Sequence, residues 1–527
     1  MLEQSSAIPQ VRPGRERISA KWRAVVREWP ALAAFGLPLL LYVLTAAPTV
    51  FNLDSAEFTT AVASGGIVRA TGYPLYLLLG KLWLWLPLAG DVGHRMNLFS
   101  AFWGAATLFL GDRILRRLAV GPWSRLGALG LLAISPYFWG LSLIAEVYTL
   151  HTGLMAGILL LLLRWAQHPS PSRLAWPVLL MALSAGNHAA TALLIPGAVW
   201  FVLSSHPQEL LRVRVWGAGI LALLAGAAVF LVLPWRYATQ PAFNYAGLYD
   251  AAGVFHPVDL TTLQGIWWLI SGQTFASRMF AYSLSELGPE IQAYAGQLWS
   301  TFLAVGIGPG LLGCVVLFKR NWRLGGFLLL LFLANAAFYI DYRVVDKETM
   351  FLPTYLIWAL WLGVGYEVLL TWLREQSDGP LRVWHLRLLL SGTVLLALLL
   401  RWPRIDLSQD WSTREQSQTI LETVEPDALI LGWWETIPAL QYLQLVEGER
   451  PDVTLINRFL IPPEAMHRLI LTEIQRRPVY INSPSVALLK ETRVTKVGSL
   501  YRLSPRHRER QRNTAIELGH GKRTGER

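Results

Sequence analysis

The sequence predicts a polytopic α-helical membrane protein of about eleven transmembrane helices, with a small C-terminal α/β domain. Three observations lead there. Hydrophobic residues make up 53% of the 527 residues and charged residues only 15%, whereas a soluble domain carries roughly 25% charge. Apolar runs long enough to span a bilayer, about 20 residues, recur along most of the chain. After Trp402 the charge rises, and strand-like and helix-like runs alternate, as in a small α/β domain. The balance of 46 Lys and Arg against 35 Asp and Glu gives +11. In a membrane protein that excess marks cytoplasmic loops, not nucleic-acid binding. The single cysteine, Cys314, excludes a disulfide framework and any Cys-based metal cluster. There is no GxGxxG, Walker A, HExxH or internal repeat.

The elements follow in order. Residues 1–30 carry Arg12, Arg15, Arg17, Lys21, Arg23 and Arg27 before the first apolar run. They read as a cytoplasmic N-terminus without a cleavable signal. Spans are expected near 31–50, 95–112, 126–145, 147–164, 174–187, 188–205, 215–235, 294–318, 324–340, 350–373 and 384–402, within a membrane domain of residues 31–402. The run 73–88 is also apolar, but it is short, contains Lys81 and is bounded by Pro. The basic clusters at Arg113–Arg125, Arg164–Arg173, Arg212–Arg214, Lys319–Arg323 and Arg374–Arg387 all fall inside only if 73–88 does not cross. It therefore reads as a helix in the outer interface, with Trp83 and Trp85 at headgroup level. Outer loops then occupy 48–94, 236–293 and 341–349, with Glu146 in an outer turn. Residues 403–503 form an extracytoplasmic α/β domain, and 504–527 a basic disordered tail suited to anionic lipid.

Chemistry is expected on the outer side. In APTVFNLDSAEF, Asp54 and Glu57 are three apart and share a face if helical. Carboxylates next to lipid are costly unless used or paired, and one could serve as general base to a hydroxyl; a helix cap or a solvated loop is the plainer alternative. In the turn around Tyr73, Gly72 and Pro74 punctuate the chain, and Arg69 and Lys81 flank it as candidate phosphate contacts. For Lys81 snorkelling to headgroups competes. Glu146, in LIAEVYTLH, is a functional candidate or an ion-pair partner, and His151 a packing residue. Asn187 and His188 could hydrogen-bond a sugar or diphosphate, against simple capping by Asn187. Arg236 and Arg278 flank a loop whose Trp267 and Trp268 suggest an interfacial helix. In DYRVVDKETMFLP, Arg343 and Lys347 alternate with Asp341, Asp346 and Glu348, either pairing among themselves or forming a phosphate and acceptor site. Asp54, Glu57 and Glu146 could hold a divalent cation through oxygens, although the sequence does not bring them together. No other cofactor is indicated.

An ordered set of segments resembles a known family. APTVFNLDSAEF, GYPLYLLLGKL, AEVYTLHTG, LSAGNHAATALLIP, LPWRYATQPAFNYAG, TTLQGIWWLISGQTF, VDKETMFLPTYLIWALWLG and ALQYLQLVEGERPDVTLIN are similar to the bacterial branch of a membrane family whose animal members are protein O-mannosyltransferases. The wider group is the GT-C fold of polyprenyl-phosphate-dependent glycosyltransferases. The resemblance implies that Asp54 is the essential first-loop acid, with Glu57 completing a D-x-x-E pattern and Glu146 a second outer-loop acid. Where relatives carry His-Pro-Pro, this sequence has Arg69, Ala70 and Thr71.

The resemblance also implies a reaction. A sugar would pass from a polyprenyl-phosphate donor to a hydroxyl of a protein, lipid or glycan acceptor at the outer face. The displacement would be single and inverting, with Asp54 as base, and Arg236, Arg278, Arg343 or Lys347 would stabilise the departing phosphate. The expected setting is a bacterial inner or plasma membrane. A lipid or sugar transporter or flippase, and a non-catalytic glycan-binding membrane protein, are the alternatives. The acids cluster on one face and no repeated halves are visible, which argues against transport.

Overall fold

The computed structural model describes residues 13–376 and 381–506. The basic clusters at Arg12 and in the tail beyond 506 lie outside them. The chain divides into two compact units. One comprises 1–48, 70–235 and 266–410, and the other 49–69, 236–265 and 411–527.

The first unit is helical. Among the described residues, seven helices are long and apolar enough to cross a membrane: Glu28–Thr45, Val92–Arg117, Val147–Gln167, Val213–Ala238, Trp322–Ile340, Lys347–Glu375 and Arg387–Ile405. The other four expected spans are interrupted. Residues 126–145 fold as Pro122–Ala133 and Pro136–Gly140, split where Pro136 cannot donate a backbone hydrogen bond. Residues 174–205 form Pro171–Ala185, a 3-10 turn Ala189–Leu194 and Ile195–Ser205. Residues 294–318 break between Leu284–Thr301 and Ile307–Arg320, around Leu303 and Ala304 with φ of 56° and 59°. Leu221, Leu224, Leu399 and Leu400 are exposed on two of the long helices, which marks faces suited to lipid. By contrast, Val147–Gln167 is buried over most of its length.

The segment 73–88 contains one helix, Pro74–Trp83, of 10 residues. Pro74 starts it at N1, where its missing N–H costs nothing. At 1.5 Å per residue the helix is about 15 Å long, half of what a hydrocarbon core of roughly 30 Å requires. The chain then turns, held by Trp83 Nε1 donating to Arg95 O at 2.8 Å and Arg95 Nη2 to Leu86 O at 2.9 Å.

The second unit contains a two-stranded ribbon, β1 (Gly247–Tyr249) and β2 (Phe255–Pro257), and a five-stranded sheet. The sheet strands are β3 (Leu429–Gly432), β4 (Thr454–Asn457), β5 (Val479–Ile481), β6 (Thr492–Val497) and β7 (Leu500–Pro505), in the order β4-β3-β5-β7-β6. β3 lies parallel to both β4 and β5, joined through the helices Ile437–Val446 and Pro463–Glu473. The alternation after Trp402 anticipates this core. The β6–β7 hairpin is additional and turns at Gly498, whose φ is 58°. Leu429, Leu431, Ile456, Val479 and Ile481 pack under Leu469 and Ile470, with Tyr249 of the ribbon against the same core. The unit boundary falls after Asp410, because the preceding helix runs on to Ile405 and Leu407 N–H then bonds Thr45 O at 3.0 Å.

Candidate functional site

In the second unit, residues Asp54–Ser64 form a helix with Asp54 and Glu57 in its first turn. Acids are favoured there by the positive end of the helix dipole. The helix stops at Gly65, with φ of 76°, whose N–H caps onto Ala61 O. The chain then runs back beside 243–245: Ile67 N–H donates to Phe243 O, and Tyr245 N–H to Ile67 O, both at 2.9 Å. A Cβ on Gly66 would lie 2.6 Å from Phe243 O, so only glycine admits this approach. The return brings Arg69 back to the helix start.

Arg69 meets both acids. Its Nη1 pairs with Glu57 and its Nη2 with Asp54, and its backbone N–H donates to Glu57 Oε1 at 2.9 Å. The two carboxylates are not equivalent. The Glu57 side chain is 0% exposed and the Asp54 side chain 15%, so Asp54 alone has an edge open to an incoming group. Burial pushes the Glu57 carboxyl up to about 7; the Arg69 charge opposes this and the Asp54 charge adds to it. On its other side, the Arg69 guanidinium lies over the Trp434 ring, 4.5 Å from its centroid.

Arg236, expected to meet phosphate, is buried and donates to Ala61 O at 3.1 Å and Gly66 O at 2.6 Å. It thus ties down the C-terminal end of the first-loop helix, where a cation is favoured. Sequence reasoning missed this use because nothing local to Arg236 signals a partner 170 residues away. Trp434 and Tyr245 were also missed. The doublet Trp433-Trp434 directly after a strand was the available signal.

The remaining candidates lie in the first unit. Glu146 is buried at the start of Val147–Gln167, its N–H donating to Ser100 Oγ at 3.0 Å. Burial, then the Glu146 charge, push the Tyr76 phenol well above its usual range. Asn187 Nδ2 donates to Val147 O at 3.2 Å, while its Oδ1 is buried without a hydrogen-bond partner. Capping falls instead to His188, whose Nδ1 accepts from Ala190 N–H at 3.1 Å. The His188 ring is 6.0 Å from Tyr73, 5.7 Å from Tyr148 and 5.2 Å from His151. These contacts bring rings from three separate segments together, which the sequence alone did not indicate. Lys81 lies in the last turn of Pro74–Trp83.

The charges of 341–348 pair, but with a different set of acids from their own loop. Arg343 bonds Glu286 at 2.7 Å and Lys347 bonds Glu290 at 2.5 Å. Glu286 and Glu290 stand four apart on the helix Leu284–Thr301, as Arg343 and Lys347 do in sequence, so the rungs match. The Tyr282 ring lies between the two cations, 4.4 Å from Arg343 and 4.5 Å from Lys347. Asp341 Oδ1 accepts from Tyr282 N–H at 3.0 Å. Asp346 and Glu348 lie at the start of the 3-10 turn Lys347–Phe351. The Arg278 guanidinium lies 5.8 Å from the Phe275 ring and pairs with no carboxylate among the described residues. Among those residues no group of three or more His, Cys, Asp or Glu is arranged to hold a metal ion.

Comparison with known proteins gives this architecture a context. Residues 54–211 match the family described as the Protein O-mannosyl-transferase TMEM260 N-terminal domain. The Protein O-mannosyl-transferase TMEM260 of Mus musculus is 22% identical over 464 residues, covering 82% of this chain and 63% of the mouse protein. The chain thus spans under two thirds of the length of that relative. The crystal structure of ArnT from Cupriavidus metallidurans bound to undecaprenyl phosphate is similar at a TM-score of 0.54 and 12% identity, over 90% of this chain and 97% of ArnT. The apo oligosaccharyltransferase of Archaeoglobus fulgidus gives 0.54 and 10%, over 86% of this chain and 69% of that one. The chain has the GT-C fold and is similar in sequence to the animal protein O-mannosyl-transferase TMEM260.

Proposed function

We propose that this chain is a membrane glycosyltransferase that moves a sugar from a polyprenyl-phosphate donor to a hydroxyl acceptor. The observation that carries the reading is the first-loop triad: one guanidinium grips two carboxylates, and only Asp54 keeps an exposed edge. Its relation to the O-mannosyl-transferases favours mannose and a protein hydroxyl. The bound undecaprenyl phosphate of ArnT, which shares the fold, favours a polyprenyl carrier.

The reaction is a single displacement. As the acceptor oxygen bonds to the anomeric carbon, its proton passes to an Asp54 carboxylate oxygen. The bond from the anomeric carbon to the phosphate oxygen breaks, and its electron pair leaves with the polyprenyl phosphate. The anomeric configuration inverts. Glu57, buried, holds Arg69, and Arg69 offsets one of the two acid charges that would otherwise repel a phosphate-bearing donor. Arg278 is the cation assigned to the donor phosphate, because Arg343 and Lys347 are already spent on Glu286 and Glu290. The N-terminus is assigned to the cytoplasm and the first loop to the outer face of a bacterial inner membrane, following the distribution of basic residues.

The test is transfer of tritiated mannose from a polyprenyl phosphate to the protein fraction of membrane vesicles. Asp54→Asn keeps size and hydrogen bonding but removes the base. The rate is expected to fall by about 10²–10⁴, with the product anomer opposite to the donor's. A fully active Asp54→Asn protein, or a product of retained configuration, rejects the assignment.

A further inference from the structure

The loop after β3 is built to hold one indole still. Trp433 N–H donates to Asn482 Oδ1 at 2.9 Å, and Asn482 Nδ2 donates to Thr436 Oγ1 at 2.9 Å. A Cβ on Gly432 would lie 2.5 Å from Asn482 Oδ1, so glycine at the strand end lets Asn482 reach both sides of the loop. Trp434, between these anchors, is buried. Tyr245 meets its ring at 5.2 Å and 70°, and Phe459 at 5.4 Å and 78°. Phe243 stacks behind Tyr245 at 4.5 Å. With its rim fixed from two sides, the indole presents a face to the guanidinium of Arg69.

We propose that Trp434 is a positioning residue: it fixes Arg69, and through Arg69 the orientation and charge of the Asp54 and Glu57 carboxylates. The inference rests on Asp54 acting as the base. The negative face of an indole attracts a cation. It also keeps water from one side of the guanidinium, which strengthens the pull of that group on both acids. Without the indole, the long Arg69 side chain regains rotamers and the acids lose a fixed counter-charge. One loop of the α/β domain then sets the geometry of the base.

The experiment uses the full-length protein in proteoliposomes, with tritiated mannose on polyprenyl phosphate as probe, between pH 5.5 and 8.5. Trp434→Ala is expected to lower kcat about tenfold, with a smaller change in donor KM, and to raise the acidic limb of the pH profile by about one unit. Trp434→Phe keeps an aromatic face and restores most of the rate and the original limb. Asn482→Ala frees the loop without opening the core, and moves the limb the same way as Trp434→Ala. If Trp434→Ala does not fold, Asn482→Ala decides. An unmoved limb in the folded variants, a wild-type rate in Trp434→Ala, or Phe no better than Ala overturns the proposal. Full activity in Asp54→Asn rejects the underlying reading instead, whereas an inactive Asp54→Asn beside a wild-type-like Trp434→Ala rejects this inference alone.

Discussion

Replacing Arg69 by Met would strand a buried charge, and its cost can be bounded from the structure. The side chain of Asp54 is 15% exposed and can recover water, but that of Glu57 is 0% exposed and cannot. Removing one partner of a buried pair costs about 3–5 kcal/mol. The stranded Glu57 can escape by taking a proton, which sets a ceiling. Glu57 already lies at about 7 beside Arg69, so at 1.36 kcal/mol per pH unit its protonation in the fold costs about 1.4 kcal/mol at pH 8 and nothing at pH 5. Arg69→Met should therefore cost more stability at pH 8 than at pH 5. At 2–4 °C per kcal/mol, the melting temperature of the second unit should drop roughly 3–6 °C at pH 8 and stay near the wild-type value at pH 5. Protease susceptibility of detergent-solubilised protein during heating reads this directly. Adding Glu57→Gln removes the stranded charge, so the double variant should be more stable than Arg69→Met at pH 8. A loss independent of pH, or a double variant no better than the single, would refute the buried-pair account.

Four other outcomes are expected. Because burial holds the Glu57 proton up to about 7, transfer should show an acidic limb near pH 7 that Glu57→Gln flattens. The same group binds a proton in the fold that the unfolded chain releases, so its share of stability is present below the ordinary Glu range and lost as pH rises through about 7; melting curves of wild type and Glu57→Gln from pH 4.5 to 8 check the sign. Gly66→Ala places a Cβ 2.6 Å from Phe243 O, and backbone cannot yield as a side-chain tip does, so about 1–3 kcal/mol of stability should be lost, measured as a lower melting temperature with Arg69 intact. Arg278→Ala should raise donor KM several-fold while leaving melting unchanged, since its guanidinium holds no acid among the described residues; an unaltered KM would remove it from the donor site.

Much of the membrane part was legible because hydropathy acts over whole helices. The basic clusters led 73–88 to be read as non-spanning, and the helix Pro74–Trp83 is 10 residues long. Interruptions were harder. Pro136 marks its break in the sequence, but Leu303 and Ala304 adopt positive φ without a proline or glycine at either position. In the first loop the three-residue spacing of Asp54 and Glu57 correctly put them on one face. Their partner could not be read, because Arg69 returns only through pairing with 243–245. Nor could Trp434 be assigned, since its contact with Arg69 depends on tertiary packing and no local periodicity encodes it.

The second unit draws residues 49–69 from near the beginning of the chain and 411–506 from near its end. During synthesis at about 5–20 residues per second, the ribosome must work through 70–410 before Trp434 exists, a delay on the order of half a minute. Until then the two acids have no finished seat. A chain halted early would carry every apolar segment of the bilayer part yet leave Arg69 without its aromatic backing, so interrupted translation should yield a protein that inserts but cannot ripen.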